Sequence, residues 1–249
     1  MDFKDYFSKH AAEYARYRPA YPPELFDYLN SITENHHRAW DSAAGNGQAA
    51  LGLAPFFDEI IATDASEKQI INAVQHPKIK YRVAPSESSG IEANSVNLIT
   101  VATAIHWFNL EKFYDEVRRV IAKGGVLAVW NYAEADVNED VDEIINKKYL
   151  YKIIGSYAAP EFWRGINMET EIDFPFKKIG MPGFKITRNW DFHDYLNFIM
   201  TWSPTQEYIK VNNSNPLEII FEELKTAWGD ENEKKLITWK LKLKAGKVK

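Results

Sequence analysis

The sequence predicts an α/β fold: a mostly parallel sheet of seven strands with helices on both faces and a helical cap inserted after the fifth strand. Short apolar runs alternate with segments of helical periodicity up to Trp130, which is the pattern of successive βαβ units. Beyond Trp130 the alternation stops, and a stretch rich in helix signals, proline and aromatic residues precedes two further strands. The strands are predicted at HRAW, EIIATD, KYRVA, SVNLITVATA, VLAVW, FKITRNW and ITWKLKLK.

Helices are predicted before, between and after these strands. LEKFYDEVRRVIA, between the fourth and fifth strands, is expected to end at Gly124 and Gly125. ELFDYLNSI gathers its apolar residues on one face, and Pro19 ends a helix predicted over residues 5–17. The other helices are predicted at QAALGLAPFF, SEKQIINAV, DVNEDVDEIINKKYLYKIIGSYA, HDYLNFIMTW and PLEIIFEELKTAW.

Charge, cysteine content and hydropathy exclude several classes of function. The chain of 249 residues has a net charge of -5, so it offers no broad basic surface for a nucleic-acid backbone. It has no cysteine, which excludes disulfides, thiolate metal sites and a cysteine nucleophile. No apolar run approaches the roughly 18 residues of a membrane span, so we expect a cytoplasmic protein without a membrane partner. His10, His36, His37 and His76 show no metal-ligand spacing, so no metal is implied.

The last predicted strand carries alternating lysines. Apolar residues alternate here with polar ones, which is the period of a strand with one buried face: Ile237 and Trp239 belong to the apolar series, and Lys240, Lys242 and Lys244 belong to the polar series. We interpret these lysines as a solvated strand face rather than as an RNA-binding tail.

A turn with few side chains follows the first predicted strand, in DSAAGNGQAA. A glycine-rich turn between a strand and a helix lets the backbone approach a ligand closely and accommodates positive φ angles. A P-loop would need a lysine directly after Gly47, and none is present. A dinucleotide site would read GxGxxG, which this turn matches less well. The sequence therefore disfavours nicotinamide binding without excluding it.

An acidic residue follows this turn at a distance of about twenty residues, as in nucleoside-binding βαβ units. Asp64 ends the second predicted strand, where a carboxylate can accept hydrogen bonds from both hydroxyls of a ribose, with Ala65 beside it. The alternative is that Asp64 caps the helix that begins near Glu67. The spacing favours ribose binding.

The turn and its acidic partner resemble the class I S-adenosylmethionine-dependent methyltransferases, a family with a Rossmann-like fold. The first motif of that family reads D-x-G-x-G-x-G, and Asp41, Ala43, Gly45 and Gly47 stand at its four positions. Ala43 departs from the pattern. The resemblance implies S-adenosyl-L-methionine as the cofactor, bound by these four residues and by Asp64.

Two later turns extend the resemblance. ATAIHWFN, at the end of the fourth predicted strand, contains an HWF triplet found in the type 11 branch, which includes trans-aconitate methyltransferase-like enzymes. The resemblance implies that Ala102, His106 and Trp107 lie at the reactive end of the cofactor. APSE, after the third strand, corresponds to the turn beside the adenine ring, where Ser86 and Glu87 are candidate contacts.

The segment FSKHAAEYARYRPAYPPELF also matches this branch, and the resemblance covers residues 6 to about 131. Because an N-terminal helix covers the cofactor in the relatives, the resemblance implies contacts of Tyr14 and Arg18 with the methionine carboxylate. We expect a single methyltransferase domain over residues 1–249. Its predicted parts are cofactor-covering helices in 1–35, a cofactor-binding core in 36–131, a cap or lid insertion in 132–182 and a sheet-completing part in 183–249.

The acceptor side of the reaction rests on fewer residues. Methyl transfer is an in-line displacement in which alignment supplies much of the rate. A carboxylate acceptor needs no base, whereas a hydroxyl or an amine must lose a proton, and His106 is then the candidate catalytic base. Trp163 and Arg164 are candidate substrate contacts, because aromatic residues with one arginine can enclose a small acidic or apolar acceptor.

The leading hypothesis is a methyltransferase whose partner is a small-molecule acceptor, either a carboxylate or a hydroxyl compound. A second hypothesis is a methyltransferase acting on tRNA or another nucleic acid, which the acidic charge disfavours. A nucleoside-binding protein without catalysis and a nicotinamide oxidoreductase are the third and fourth hypotheses.

Overall fold

A computed structural model describes residues 17–248, and the strands in this range form one sheet. They are β1 Arg38–Ser42, β2 Glu59–Asp64, β3 Ile79–Val83, β4 Val96–Ala102, β5 Ile121–Asp136, β6 Lys177–Lys178, β7 Lys185–Trp190 and β8 Lys235–Lys247. The sheet order is β3-β2-β1-β4-β5-β8-β6, and β7 also pairs with β8. Strands β1 to β5 are parallel, whereas β8 is antiparallel to β5, β6 and β7. The predicted Rossmann-like architecture is confirmed.

The sheet differs from the prediction in its strand count and in the length of β5. Within the described residues it has eight strands rather than seven, because Lys177–Lys178 pairs with the end of β8. Helix LEKFYDEVRRVIA ends at Val120, since Ile121 already pairs with Val96 of β4. Gly124 and Gly125 therefore lie inside β5 instead of ending the helix.

Helices cover both faces of the sheet. They are α1 Pro23–Ser31, α2 Gln48–Leu53, α3 Glu67–Ile71, α4 Leu110–Val120, α5 Glu139–Asp142, a π-helix at Glu143–Ile153, α6 Pro160–Ile166, α7 Met168–Glu171, α8 Phe192–Met200, α9 Ser203–Asn212 and α10 Phe221–Trp228. The sequence did not indicate α9, which starts with a proline in its first turn. The helix predicted over residues 5–17 lies outside the described residues apart from Tyr17. None of the helices between residues 17 and 248 is long and apolar enough to cross a membrane.

Two hydrophobic cores lie on opposite faces of the sheet. Consecutive residues of β1 point to different cores: Ala39 packs with Leu25 and Leu53, whereas Trp40 packs with Phe113 and the rest of the second core. This alternation is the two-residue period of a strand buried on both faces. The strand ends, rather than the faces, are therefore left to form a site.

The segment between the long strands carries the helical cap. Because β5 continues to Asp136 and β6 begins at Lys177, the segment between these strands spans residues 137–176, and the predicted cap over 132–182 contains it. Lysines of β8 hold it to the sheet: Lys242 Nζ donates to the Ile166 carbonyl, and Lys244 Nζ donates to that of Ile172. The interpretation of the lysine row as a solvated face is wrong for these two residues, because the cap packs over them.

Candidate cofactor and acceptor site

Four loops meet at the carboxyl edge of the parallel strands and surround one cavity of about 1180 Å³. They follow β1, β2, β3 and β4, and we call the space they enclose the main cavity. It lies where the sheet order changes direction, because β2 and β4 flank β1 on opposite sides. Doubly wound sheets bind ligands at such a point. Cap residues Tyr157 to Glu161 and helix α9 complete the wall.

The loop after β1 is built from left-handed residues. Ala43, Gly45 and Gly47 have φ angles of 54°, 55° and 88°. A Cβ at Gly45 would meet no described atom within 4 Å, and Gly45 lines the cavity, so a side chain there would enter the space of a ligand. Gly47 begins helix α2 and does not line the cavity; a Cβ there would overlap the Tyr81 hydroxyl.

Ala43 occupies a conformation that suits glycine better. A non-glycine residue in the left-handed region destabilises the folded state by roughly 1–2 kcal/mol. Replacing alanine with glycine also stabilises the unfolded state by about 0.4–1 kcal/mol, because the unfolded chain gains conformational entropy. We therefore expect Ala43→Gly to stabilise the fold by up to about 1 kcal/mol, measured by thermal unfolding. Ala44→Gly is the matched control, since Ala44 has no positive φ and should lose stability. Equal losses in both variants would contradict this account of the turn.

The Asp64 carboxylate joins two of the four loops. Its Oδ2 accepts from the Gly45 N–H at 2.9 Å, and its Oδ1 accepts from the Ser66 N–H at 2.8 Å. Asp64 and Ala65 line the cavity. The helix-cap interpretation of Asp64 is wrong in detail, because Ser66 is the N-cap of α3 and its hydroxyl accepts from Gln69 N–H.

Asp41 lies beneath the loop rather than in the cavity wall. Its side chain is fully buried, and its two oxygens accept from Thr100 Oγ1 at 2.8 Å and from the Ala50 N–H at 3.0 Å. Burial raises the pKa of the Asp41 carboxyl to about 7, and nearby Asp64 adds to the rise. The residue ties β1, β4 and helix α2 together beneath the loop, and it is not among the residues that line the main cavity.

The turn after β3 brings Ser86 and Glu87 to the cavity. Ser86 is buried, and its hydroxyl accepts from Ser42 Oγ at 2.8 Å. Glu87 is half-buried, and its Oε1 accepts from the Asn109 N–H, so it joins the turns after β3 and β4 instead of being simply solvated. Both residues line the main cavity.

The turn after β4 contains a strained residue in the wall of the main cavity. Thr103 has a φ of 56°, which is unfavourable for a β-branched side chain, and such strain concentrates at functional sites. Its N–H donates to the Trp130 carbonyl at 2.7 Å, and its hydroxyl lies 3.0 Å from that of Tyr21. Ala102 and Trp107 line the main cavity on either side of Thr103.

Arg18 lies on the side of the cavity formed by β5. Its Nη1 donates to the Tyr132 hydroxyl at 2.7 Å, its Nη2 donates to the Thr201 carbonyl at 3.2 Å, and its guanidinium carbon is 5.7 Å from the centre of the Phe198 ring. Tyr14, which was predicted to contact the methionine carboxylate together with Arg18, lies outside the described residues.

A smaller space of about 80 Å³ adjoins the main cavity and shares four wall residues with it: Arg18, Thr103, Trp107 and Tyr132. We call it the side chamber. Its remaining wall includes His106, Asn131, Leu150, Phe162, Ile166 and Trp202. Polar and aromatic groups therefore surround a volume that suits a group of a few non-hydrogen atoms.

His106 belongs to the side chamber and is nearly buried. Desolvation above all, followed by the charges of Arg164 and Arg18, lowers the pKa of its imidazole to about 3. No described atom is placed to hydrogen-bond its Nδ1. The ring is thus neutral at physiological pH, and its protonated form is strongly disfavoured.

Trp163 and Arg164 do not face the site. Within the described wall, neither residue lines the main cavity or the side chamber. Trp163 stacks on Tyr151 with ring centres 5.1 Å apart, and Arg164 Nη2 donates to the His106 carbonyl. Because residues four apart share a helix face, Phe162 and Ile166 of α6 reach the chamber instead.

The sequence did not indicate Tyr21, Thr103, Asn131 or Tyr132. Tyr21 stands in the YRPAYPP cluster beside Arg18, and Tyr132 follows the apolar run of β5, so proximity to predicted site residues was the available signal. Within residues 17–248, no three histidine or acidic side chains are grouped to hold a metal ion.

The fold and the site define an α/β protein with a cavity of about 1180 Å³ at the switch point of a doubly wound sheet. Residues 40–129 match the family described as a methyltransferase domain. A Dictyostelium discoideum protein named as a methyltransferase is 32% identical over 229 residues, covering 91% of this chain and 87% of that protein. A Saccharomyces cerevisiae protein named as an S-adenosylmethionine-dependent methyltransferase is 31% identical over 150 residues, covering 57% of this chain and 51% of that one.

A solved structure gives the same result at the level of the whole fold. A protein from Anaeromyxobacter dehalogenans described as a type II methyltransferase has a TM-score of 0.85 and 33% identity, covering 93% of this chain and 98% of that chain. The chain belongs to the class I S-adenosylmethionine-dependent methyltransferases and is an enzyme of that class. Its closer resemblance to the trans-aconitate branch stays a prediction.

Proposed function

We propose that the chain transfers a methyl group from S-adenosylmethionine, held in the main cavity, to a small acceptor bearing a carboxylate or a hydroxyl. The observation that carries this proposal is the convergence of four strand-end loops on one cavity of about 1180 Å³. Its volume exceeds the roughly 300–1,000 Å³ typical of single-ligand pockets, which leaves room for a cofactor and an acceptor together.

The residues present fit such a cofactor. Gly45 leaves open the space that a Cβ would fill, so the backbone of Ala43 to Gly47 can lie against the amino-acid end of the nucleoside. The Asp64 carboxylate would accept hydrogen bonds from the ribose hydroxyls, with Ala65 beside it, and Ser86 and Glu87 would flank the adenine. When bound, the cofactor supplies a methyl group activated by a sulfonium.

The reactive end would lie beside Ala102, Trp107 and Arg18. Trp107 and Tyr132 are shared by the main cavity and the side chamber, so they would align the acceptor with the methyl group and exclude water. Arg18 is the cation that both spaces share among the described residues, and it suits an acidic acceptor. A carboxylate would react without a base.

We assign His106 to the wall of the acceptor site rather than to proton transfer. A base whose conjugate acid has a pKa of about 3 holds an abstracted proton poorly. His106→Asn should therefore lower turnover by less than about tenfold, measured as kcat in radiolabelled methyl transfer. A loss of about 100-fold or more on a hydroxyl acceptor, with unchanged affinity for S-adenosylhomocysteine, would identify His106 as the base.

The proposal is tested by incubating the chain with S-adenosylmethionine labelled in its methyl group and a small-molecule cell extract. We expect the label to appear in a small organic product together with S-adenosylhomocysteine. Transfer to tRNA in a parallel arm would support the nucleic-acid alternative, which the net charge of -5 disfavours. Binding of the cofactor without transfer in either arm would favour a nucleoside-binding protein.

A further inference from the structure

Helix α6 lies so close to the His106 ring that residue 165 of the helix has no room for a side chain. A Cβ at Gly165 would lie 2.9 Å from both Cγ and Nδ1 of His106. Real Cβ atoms essentially never come so near to another heavy atom. The φ angle of Gly165 is outside the left-handed region, so the backbone conformation does not require glycine. Glycine is needed here because only a residue without a side chain lets the helix lie this close to the ring.

The helix is held in place by three bonds that do not involve the ring. Asn131 Nδ2 donates to the Gly165 carbonyl at 2.9 Å, and Lys242 Nζ donates to the Ile166 carbonyl at 2.7 Å. Arg164 Nη2 donates to the His106 carbonyl, which fixes the backbone beneath the imidazole. A side chain at position 165 would therefore displace the ring more readily than the helix.

The displaced ring belongs to the wall of the side chamber, which adjoins the main cavity at Trp107 and Tyr132. Phe162 and Ile166 of the same helix form another part of that wall. We propose that the side chamber receives a compact end group of the methyl acceptor, and that Gly165 determines acceptor specificity by setting the position of the His106 ring. This inference rests on the proposed function.

The experiment measures methyl transfer to a homologous series of short- to medium-chain carboxylic acids and alcohols, used as probes of chamber size. Gly165→Ala, His106→Ala and their double variant are compared with the unaltered chain. Gly180→Ala is the matched control, because a Cβ at Gly180 would meet no described atom within 4 Å. Binding of S-adenosylhomocysteine is measured by calorimetry for every variant, and thermal unfolding reports the fold.

We expect Gly165→Ala to lower kcat/KM for the preferred acceptor by about 10- to 100-fold, because small misplacements of a reactant cost this much. Its affinity for S-adenosylhomocysteine should match that of the unaltered chain. The double variant should recover thermal stability relative to Gly165→Ala and should prefer longer homologues, because removal of the ring relieves the contact and enlarges the chamber. Gly180→Ala should keep the original profile.

An acceptor profile unchanged by Gly165→Ala would overturn the inference, and so would a matching loss of cofactor affinity. Phe162→Leu serves if Gly165→Ala does not fold, since it enlarges the chamber and should also shift preference to longer homologues. Failure of the unaltered chain to bind S-adenosylhomocysteine would overturn the proposed function itself. Binding of S-adenosylhomocysteine without methyl transfer to any member of the series would overturn only the claim that the side chamber receives a compact end group of the acceptor.

Discussion

The Asp64→Ala variant is expected to bind S-adenosylhomocysteine at least about 100-fold more weakly than the unaltered chain. Hydrogen bonds to a charged group contribute about 1.5–3 kcal/mol each, and the proposed ribose contact contains two of them. The variant also loses the acceptor for the Gly45 and Ser66 N–H groups, so the turn over the cavity is held less firmly. Isothermal calorimetry measures the affinity directly.

Asp58→Ala is the matched control for this variant. Asp58 is an exposed acid at the opposite end of β2, and it pairs with His37 away from the cavity. The Asp58→Ala variant should bind S-adenosylhomocysteine with the affinity of the unaltered chain. An Asp64→Ala chain with full affinity would mean that the carboxylate serves only the two backbone groups.

The second large effect is a pH-dependent loss of stability through Asp41. The pKa of the folded state, about 7, lies above the ordinary value of 3.8, so the folded chain retains a proton that the unfolded chain releases. This contribution is complete below about pH 4 and disappears as the pH rises through 7. Between pH 5 and pH 8 the loss is on the order of 2–3 kcal/mol.

Asp41→Asn removes this titration while keeping an oxygen that accepts from Thr100 or Ala50. We expect the stability of the unaltered chain relative to Asp41→Asn to fall between pH 5 and pH 8, because all other titrating groups are common to both chains. Urea unfolding at four pH values measures the difference. A difference that stays constant over this range would mean that Asp41 is ionised throughout.

The sequence predicted those elements whose signals are local. Strand β2 has the predicted bounds, because EIIATD is a short apolar run ending in an acid before a helix start. Strand β6 has only two residues and depends on pairing with the far end of β8, which no local pattern reveals. The length of β5 was also missed, since glycines that commonly end a helix lie here within a strand.

The same distinction holds for the candidate site. The turns at Gly45, Asp64 and Trp107 follow directly from strand ends, which a parallel sheet brings to one edge. The orientation of helix α6 depends instead on its packing. Phe162 and Ile166 of this helix line the side chamber, whereas Trp163 stacks on Tyr151, and residue type alone does not reveal which face of a helix meets a cavity.

A crystal structure of the chain with S-adenosylhomocysteine tests the central claim most directly. The account predicts the ligand in the main cavity, with its ribose hydroxyls on the Asp64 carboxylate and its amino-acid end against the turn from Ala43 to Gly47. A ligand bound elsewhere on the molecule, or a main cavity that holds none of it at saturating concentration, would contradict the account.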